Sequence, residues 1–137
     1  MARFGGVVEI WYNPSCSKCR TAVRRLDVAG IDLGIRRYLD QPPTAEELDG
    51  VLQRLGQQPW DIARLGEPAA DRLGLADWPR DAAARQRWID AMVAHPELIQ
   101  RPILLLDDGR ALLGRTPEAL EEAISTDRDR MTGTASG

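Results

Sequence analysis

The chain is 137 residues long, which suits one domain with its own core. It is 43% hydrophobic and 28% charged, with a net charge of −3, so it presents no global basic field for a nucleic acid. No apolar run approaches the ~20 residues that span a bilayer, and Met1 to Gly6 lack the apolar stretch of a secretory signal. The expectation is a cytoplasmic protein with no membrane partner, no nucleic-acid partner and reducible thiols.

Val7 to Tyr12 is short, apolar and rich in strand formers, and Pro14 ends it. Both cysteines of the chain follow, in Asn13-Pro14-Ser15-Cys16-Ser17-Lys18-Cys19-Arg20. From Ser17 to Ala29 the apolar residues Ala22, Val23, Leu26 and Ala29 recur at helical spacing, and Gly30 closes that helix. Leu33 to Leu39 reads as a second strand. Pro42-Pro43 breaks the chain, and Thr44 with Glu47 forms a capping box ahead of the apolar stripe Leu48, Val51, Leu52 and Leu55.

The middle, from Gly56 to Pro79, is less regular, with short helices expected at Trp60 to Leu65 and Pro68 to Leu73. A longer helix is expected from Asp81, burying Trp88, Ile89, Met92 and Val93 and ending near His95-Pro96. Ile103 to Leu106 is a strand. Asp107-Asp108-Gly109-Arg110 contains the hairpin signal Asp-Gly, and Ala111 to Gly114 is its antiparallel partner. Thr116-Pro117-Glu118 starts a last helix, with Thr as cap and Pro at the first position; Ala119, Leu120, Ala123 and Ile124 face inward. From about Thr126 the residues are polar and small, and fraying is expected. Residues 1–125 thus read as one domain with a helical insertion at about 44–98, and residues 126–137 as a flexible tail. The order β-α-β, helical insertion, β-β-α is that of an α/β thioredoxin-like fold with a mixed sheet, its first two strands parallel.

The chemistry is concentrated at Cys16 and Cys19. A Cys-X-X-Cys pair where a strand meets a helix is a common arrangement for thiol redox work. The first turn of a helix carries unpartnered N–H groups and a partial positive charge, so a thiolate there is stabilised and its pKa falls from ~8.5 toward ~7 or lower. Cys16 sits at that end, with the donors of Ser17 to Arg20 beside it and positive charge on Lys18 and Arg20. The same groups suit an oxyanion. Cys19 lies one turn on, close enough for a short disulfide. A structural zinc site takes four ligands, and two cysteines with the single histidine, His95, do not supply them, so no metal is expected. A purely structural disulfide gains little from closing so short a loop. Of the 18 lysine and arginine residues only Lys18 is lysine. Genomic composition explains such a bias, yet arginine forks match oxyanions well.

These elements resemble the arsenate reductase family of the glutaredoxin-coupled type, a thioredoxin-like family that also includes Spx-like regulators. The resemblance lies in Asn13-Pro14-Ser15-Cys16 with Arg20, Tyr38-Leu39 before Pro42-Pro43, Leu73-Gly74-Leu75, His95-Pro96-Glu97-Leu98-Ile99-Gln100-Arg101-Pro102-Ile103, and Gly114-Arg115-Thr116-Pro117-Glu118. It covers roughly Val7 to Ser125. It implies reduction of arsenate to arsenite, with Cys16 as nucleophile and an arginine triad on the oxyanion. Arg101 and Arg115 match two of those arginines; Arg64 matches the third by its spacing from Leu73-Gly74-Leu75. Ser17, Lys18 and Arg20 are further candidate substrate contacts and Asn13 a structural one, and Pro102 matches the cis-proline of thioredoxin-like folds. The resemblance also implies an external thiol reductant (glutathione with glutaredoxin, or thioredoxin); no bound cofactor and a monomer are expected.

Two positions depart from the family pattern. Cys19 stands where directly comparable members, which use glutathione, carry serine or another residue, so Cys19 is a candidate resolving cysteine. Tyr12 stands where a histidine often precedes Asn-Pro. His95 reads as a structural residue at a helix end. Two other functions remain open on the same residues: an Spx-like redox-sensing regulator that binds RNA polymerase, and a general thiol-disulfide oxidoreductase.

Overall fold

The computed structural model describes residues 7–133. In chain order the elements are β1 (Val7–Trp11), α1 (Ser17–Val28), β2 (Asp32–Arg36), α2 (Ala45–Leu55), α3 (Pro68–Leu73), α4 (Arg85–Ala94), β3 (Ile103–Leu105), β4 (Ala111–Leu113) and α5 (Pro117–Gly133). The chain divides into two compact units: Met1–Arg37 with Arg101–Gly137, and Tyr38–Gln100. The expected helical insertion, at about 44–98, lies inside the second unit. Tyr38 is buried, and its hydroxyl donates to the Ile99 carbonyl at 3.4 Å, joining the two ends of that unit.

The first unit holds a four-stranded mixed sheet in the order β2-β1-β3-β4. β1 runs parallel to β2 and antiparallel to β3, and β3 pairs antiparallel with β4. Side chains alternate across a strand, and Val8 and Ile10 of β1 join Leu104 of β3 in one buried cluster. Ala22 and Leu26 of α1 and Leu120, Ala123 and Ile124 of α5 complete it, so both helices pack on that face. Tyr12 packs partly buried against the same cluster. β2 stops at Arg36, short of the expected Leu39. Its register with β1 ends at the pair Trp11↔Arg36, and Asn13-Pro14 turns the partner strand away. Gly30 takes φ +79 just past α1, the left-handed conformation that glycine adopts without penalty.

α5 is longer than its composition implies. It continues through Gly133, past the Thr126 where fraying is expected. Arg110 of the β3–β4 turn donates to Glu122 and to the Thr126 hydroxyl, and Asp127 is buried. Residues 134–137 of the expected flexible tail lie outside the described residues.

The inserted unit is helical. The Thr44 hydroxyl accepts from Glu47 N–H at 3.0 Å and the Glu47 carboxylate accepts from Thr44 N–H at 3.0 Å, the capping box read from the sequence. Leu48, Val51 and Leu52 of α2 and Trp88, Ile89 and Met92 of α4 are buried. The helix expected from Asp81 starts at Arg85, because Asp81 Oδ1 accepts Ala84 N–H at 2.9 Å and holds residues 81–84 in a turn. In place of a helix over Trp60 to Leu65 there is one 3-10 turn, Pro59–Asp61. The chain then becomes extended, since Gln100 N–H donates to Ile62 O at 3.0 Å and Arg64 N–H to Leu98 O at 2.7 Å, around an isolated bridge Ala63↔Ile99.

Candidate active site

The loop from β1 to α1 is organised by Asn13. Its carbonyl accepts Cys16 N–H at 3.0 Å, its Oδ1 accepts Ser15 N–H at 2.9 Å, and its own N–H points at Cys19 Sγ at 3.5 Å. Arg20 reaches back from α1 and donates to the Pro14 carbonyl at 2.9 Å. This candidate substrate contact thus has a structural task, bracing the loop from outside. Ser17 and Lys18 have exposed side chains.

Cys16 is the N-cap residue of α1, with extended backbone at φ −95° and ψ 122°. Its thiol closes no capping hydrogen bond of ordinary geometry, but the groups that face it favour the thiolate. Burial alone would raise its pKa. The Cys19 and Lys18 amides, the Arg101 side chain and the Cys19 thiol nonetheless favour the anion, outweigh burial and lower the pKa from its ordinary value to about 7. Cys19, fully buried at the third position of the helix, is driven the other way. Burial is the main cause, the negative charge on Cys16 adds to it, and the pKa rises to about 12. The pair therefore divides into an available thiolate and a protonated partner, both reduced.

Arg101 and Arg115 belong to the same unit as the cysteines. The Arg101 side chain is among the groups that lower Cys16. Arg115 Nη1 donates to the Arg101 carbonyl at 2.7 Å, which sets a second guanidinium beside the Arg101–Pro102 peptide. That peptide is cis, as the resemblance implies. Gly114 is a residue the sequence marks only as part of a motif. Its N–H donates to the Pro102 carbonyl at 2.9 Å, and a Cβ on it would come within 3.3 Å of Pro102 Cγ.

Arg64 belongs to the inserted unit. Its Nη1 donates to Gln100 Oε1 at 2.7 Å and its Nε to Glu67 at 3.3 Å. A cavity of about 370 Å³ opens beside it, lined by Ala63, Arg64, Leu65, Gly66, Glu67 and Gln100. Gln100, which orients Arg64, carries no local signal of that role in the sequence, because the contact spans 36 residues, whereas Glu67 stands only three residues from Arg64. A cavity of about 420 Å³, lined by Asp107, Asp108, Arg110, Thr126 and Asp129, contains none of the candidate residues. His95 caps the C-terminus of α4, the helix-end position expected of it. Among the described residues no group of three or more His, Cys, Asp or Glu side chains could hold a metal, and no helix is long and apolar enough to cross a membrane.

A mixed sheet of order β2-β1-β3-β4, a Cys-X-X-Cys at the start of α1 and a cis-proline ahead of β3 define the class: a thioredoxin-like protein with a helical insertion. Residues 11–123 match the model of the ArsC family, and the chain belongs to that family. It is 35% identical to the arsenate reductase of Neisseria meningitidis serogroup B over 118 residues, covering 85% of this chain and 97% of that protein. It is 54% identical over 118 residues to an uncharacterized protein in the glnII region of Streptomyces viridochromogenes, covering 86% of this chain and 99% of the relative. Among solved structures, the arsenate reductase from Vibrio cholerae is 35% identical with a TM-score of 0.77, covering 87% of this chain and 98% of that one.

Proposed function

We propose that this protein is a thiol-dependent arsenate reductase in which Cys16 is the nucleophile. The observation that carries the reading is Cys16 at the N-cap of α1 with the Arg101 side chain near it, a setting that lowers the thiol to about 7. A disulfide exchanger needs the thiolate, but a cation near the sulfur also suits an incoming oxyanion. Arsenate spreads its charge over tetrahedrally placed oxygens, which guanidinium forks match.

In the proposed reaction the Cys16 thiolate attacks arsenic(V). An S–As bond forms, and one arsenate oxygen takes up two protons and leaves as water. Arg101 and Arg115 stabilise the anionic oxygens, with the amides at the start of α1 as neutral donors. Arg64 as a third cation rests on the family resemblance. The Cys19 sulfur then attacks the Cys16 sulfur, the electron pair of the S–As bond passes to arsenic, and arsenite leaves as arsenic(III). A Cys16–Cys19 disulfide remains. Thioredoxin, or glutathione with glutaredoxin, returns the pair to dithiol by supplying two electrons and two protons. Cys19 is a poor nucleophile while Cys16 is anionic, because that charge and hydrogen bond hold its proton. Bonding of Cys16 to arsenic removes the thiolate's share of that penalty, while burial, the larger cause, remains, which favours the second step after the first.

The test is arsenate-dependent consumption of reductant by the purified protein. Cys16→Ser is expected to abolish it, and turnover equal to wild type in that variant would sink the proposal. The buried Cys19 beside Cys16 also favours a second reading, a general thiol-disulfide oxidoreductase. Activity on a model disulfide with none on arsenate would favour that reading. Co-purification with RNA polymerase would favour the Spx-like regulator, which has no need of a cation near the Cys16 sulfur.

A further inference from the structure

We infer that Arg115 is a positioning residue that acts through Arg101: together with Gly114 it fixes the backbone from which the Arg101 side chain approaches Cys16. The inference deepens the proposed reaction by giving Arg115 a task beyond contact with an oxyanion, but it concerns the resting thiol and stands whatever the substrate.

Two hydrogen bonds make the grip. Arg115 Nη1 donates to the Arg101 carbonyl at 2.7 Å, and the neighbouring Gly114 N–H donates to the Pro102 carbonyl at 2.9 Å. Consecutive residues leaving β4 thus hold consecutive carbonyls entering β3. The approach is close: an added Cβ at Gly114 would lie 3.2 Å from Leu104 Cδ1 and 3.3 Å from Pro102 Cγ. Pro102 and Leu104 are buried, so this side of the grip is rigid. The other side depends on one long side chain. Arg101 begins at the gripped carbonyl, and its side chain lies near Cys16, where its positive charge favours the thiolate.

Geometry explains why arginine suits the task. A guanidinium has five N–H donors in a planar fork. Arg115 spends one on the Arg101 carbonyl, and the remaining fork can serve an anion. Lysine can reach the carbonyl with one donor, but its flexible ammonium lacks the fork. The two tasks, holding Arg101 and contacting an oxyanion, therefore separate in a lysine variant.

The experiment measures the Cys16 thiol pKa from the pH dependence of its alkylation by iodoacetamide, in the reduced full-length protein without arsenate. The variants are Arg115→Ala, Arg115→Lys, Arg101→Ala and the Arg101→Ala/Arg115→Ala double variant, each checked for folding by circular dichroism. Arg115→Ala is expected to raise the pKa and slow alkylation at pH 7 by about threefold, since one of several hydrogen bonds to the thiolate is loosened. Arg115→Lys should restore most of the rate. In the Arg101→Ala background, Arg115→Ala should have no further effect, because the group it positions is gone. An unchanged pKa in Arg115→Ala overturns the inference. So does an equal shift with and without Arg101, which would mean that Arg115 acts on the sulfur directly as a charge. If Arg115→Ala does not fold, Arg115→Lys against Arg115→Gln, in both Arg101 backgrounds, decides the same question. Absence of arsenate turnover would refute the proposed function and leave this result standing.

Discussion

Cys16 caps α1 and Cys19 is the third residue of that helix, and the two thiols are pushed to opposite extremes, one lowered to about 7 and the other raised to about 12. They differ by three positions in the chain, but Cys16 caps α1 while Cys19 has turned inward beneath it. At the cap, amides and the Arg101 guanidinium supply positive potential. One turn in, burial removes water and penalises the anion. A single helix start thereby makes one nucleophile and one proton-bearing partner from identical residues.

The first consequence is selective reactivity. Alkylation of the reduced protein with iodoacetamide is expected to titrate with a midpoint near about 7. Peptide mass spectrometry should find the label on Cys16 and not on Cys19 at pH 8, where Cys19 remains protonated. Equal labelling of both sulfurs at that pH would contradict the geometry.

Replacing Cys19 separates its two contributions. Cys19→Ser keeps a hydroxyl donor for the Cys16 thiolate, so the Cys16 pKa should move little. The resolving sulfur is lost, and thioredoxin-supported arsenate turnover should stop or shift to dependence on glutathione. Unchanged thioredoxin-supported kinetics would remove Cys19 from the proposed route.

The close approach at Gly114 predicts an overpacking cost. Its backbone φ is not positive, so alanine is allowed there by the backbone and opposed only by neighbours. An added methyl would sit 3.2 Å from Leu104 and 3.3 Å from Pro102. Gly114→Ala is expected to destabilise the protein by about 1–3 kcal/mol in urea unfolding. A loss well under that range would mean that Leu104 can yield at little cost.

What the sequence made legible follows from how local each signal is. Thr44 with Glu47, Gly30 after α1 and Thr116-Pro117 before α5 act within one helical turn, so their residue types suffice. Cys16 could be placed at a helix start for the same reason. The end of β2 is set by where its partner strand turns away, and the extended run after Ile62 by backbone partners at Leu98 and Gln100. Neither partner is near in sequence. The length of α5 depends on Arg110, 16 residues from Thr126. At the site, motif order marked Arg101 and Arg115, but the hydrogen bond from one to the carbonyl of the other belongs to the fold of β3 and β4. Arg20 stands out by its charge and proximity, but its bond to the Pro14 carbonyl is invisible without the loop's shape.

The two thiols also link stability to pH, with opposite signs. Cys16 is lowered in the folded protein, so its contribution is fully present above the unfolded thiol pKa of ~8.5 and is lost as pH falls through about 7. Cys19 is raised, so its contribution is present below ~8.5 and is lost as pH climbs toward about 12, while the unfolded thiol ionises and the folded one does not. For the reduced protein, the Cys16 contribution should rise between pH 7 and ~8.5, and the Cys19 contribution should fall above that. Thermal melts across pH 6 to 10, comparing wild type with Cys16→Ser, isolate the first effect. The wild type should gain stability relative to the variant as pH rises from 6 to 8.5. A constant difference between the two melts over that interval would show that the folded and unfolded Cys16 thiols ionise alike, and would remove the electrostatic basis for its role as the nucleophile.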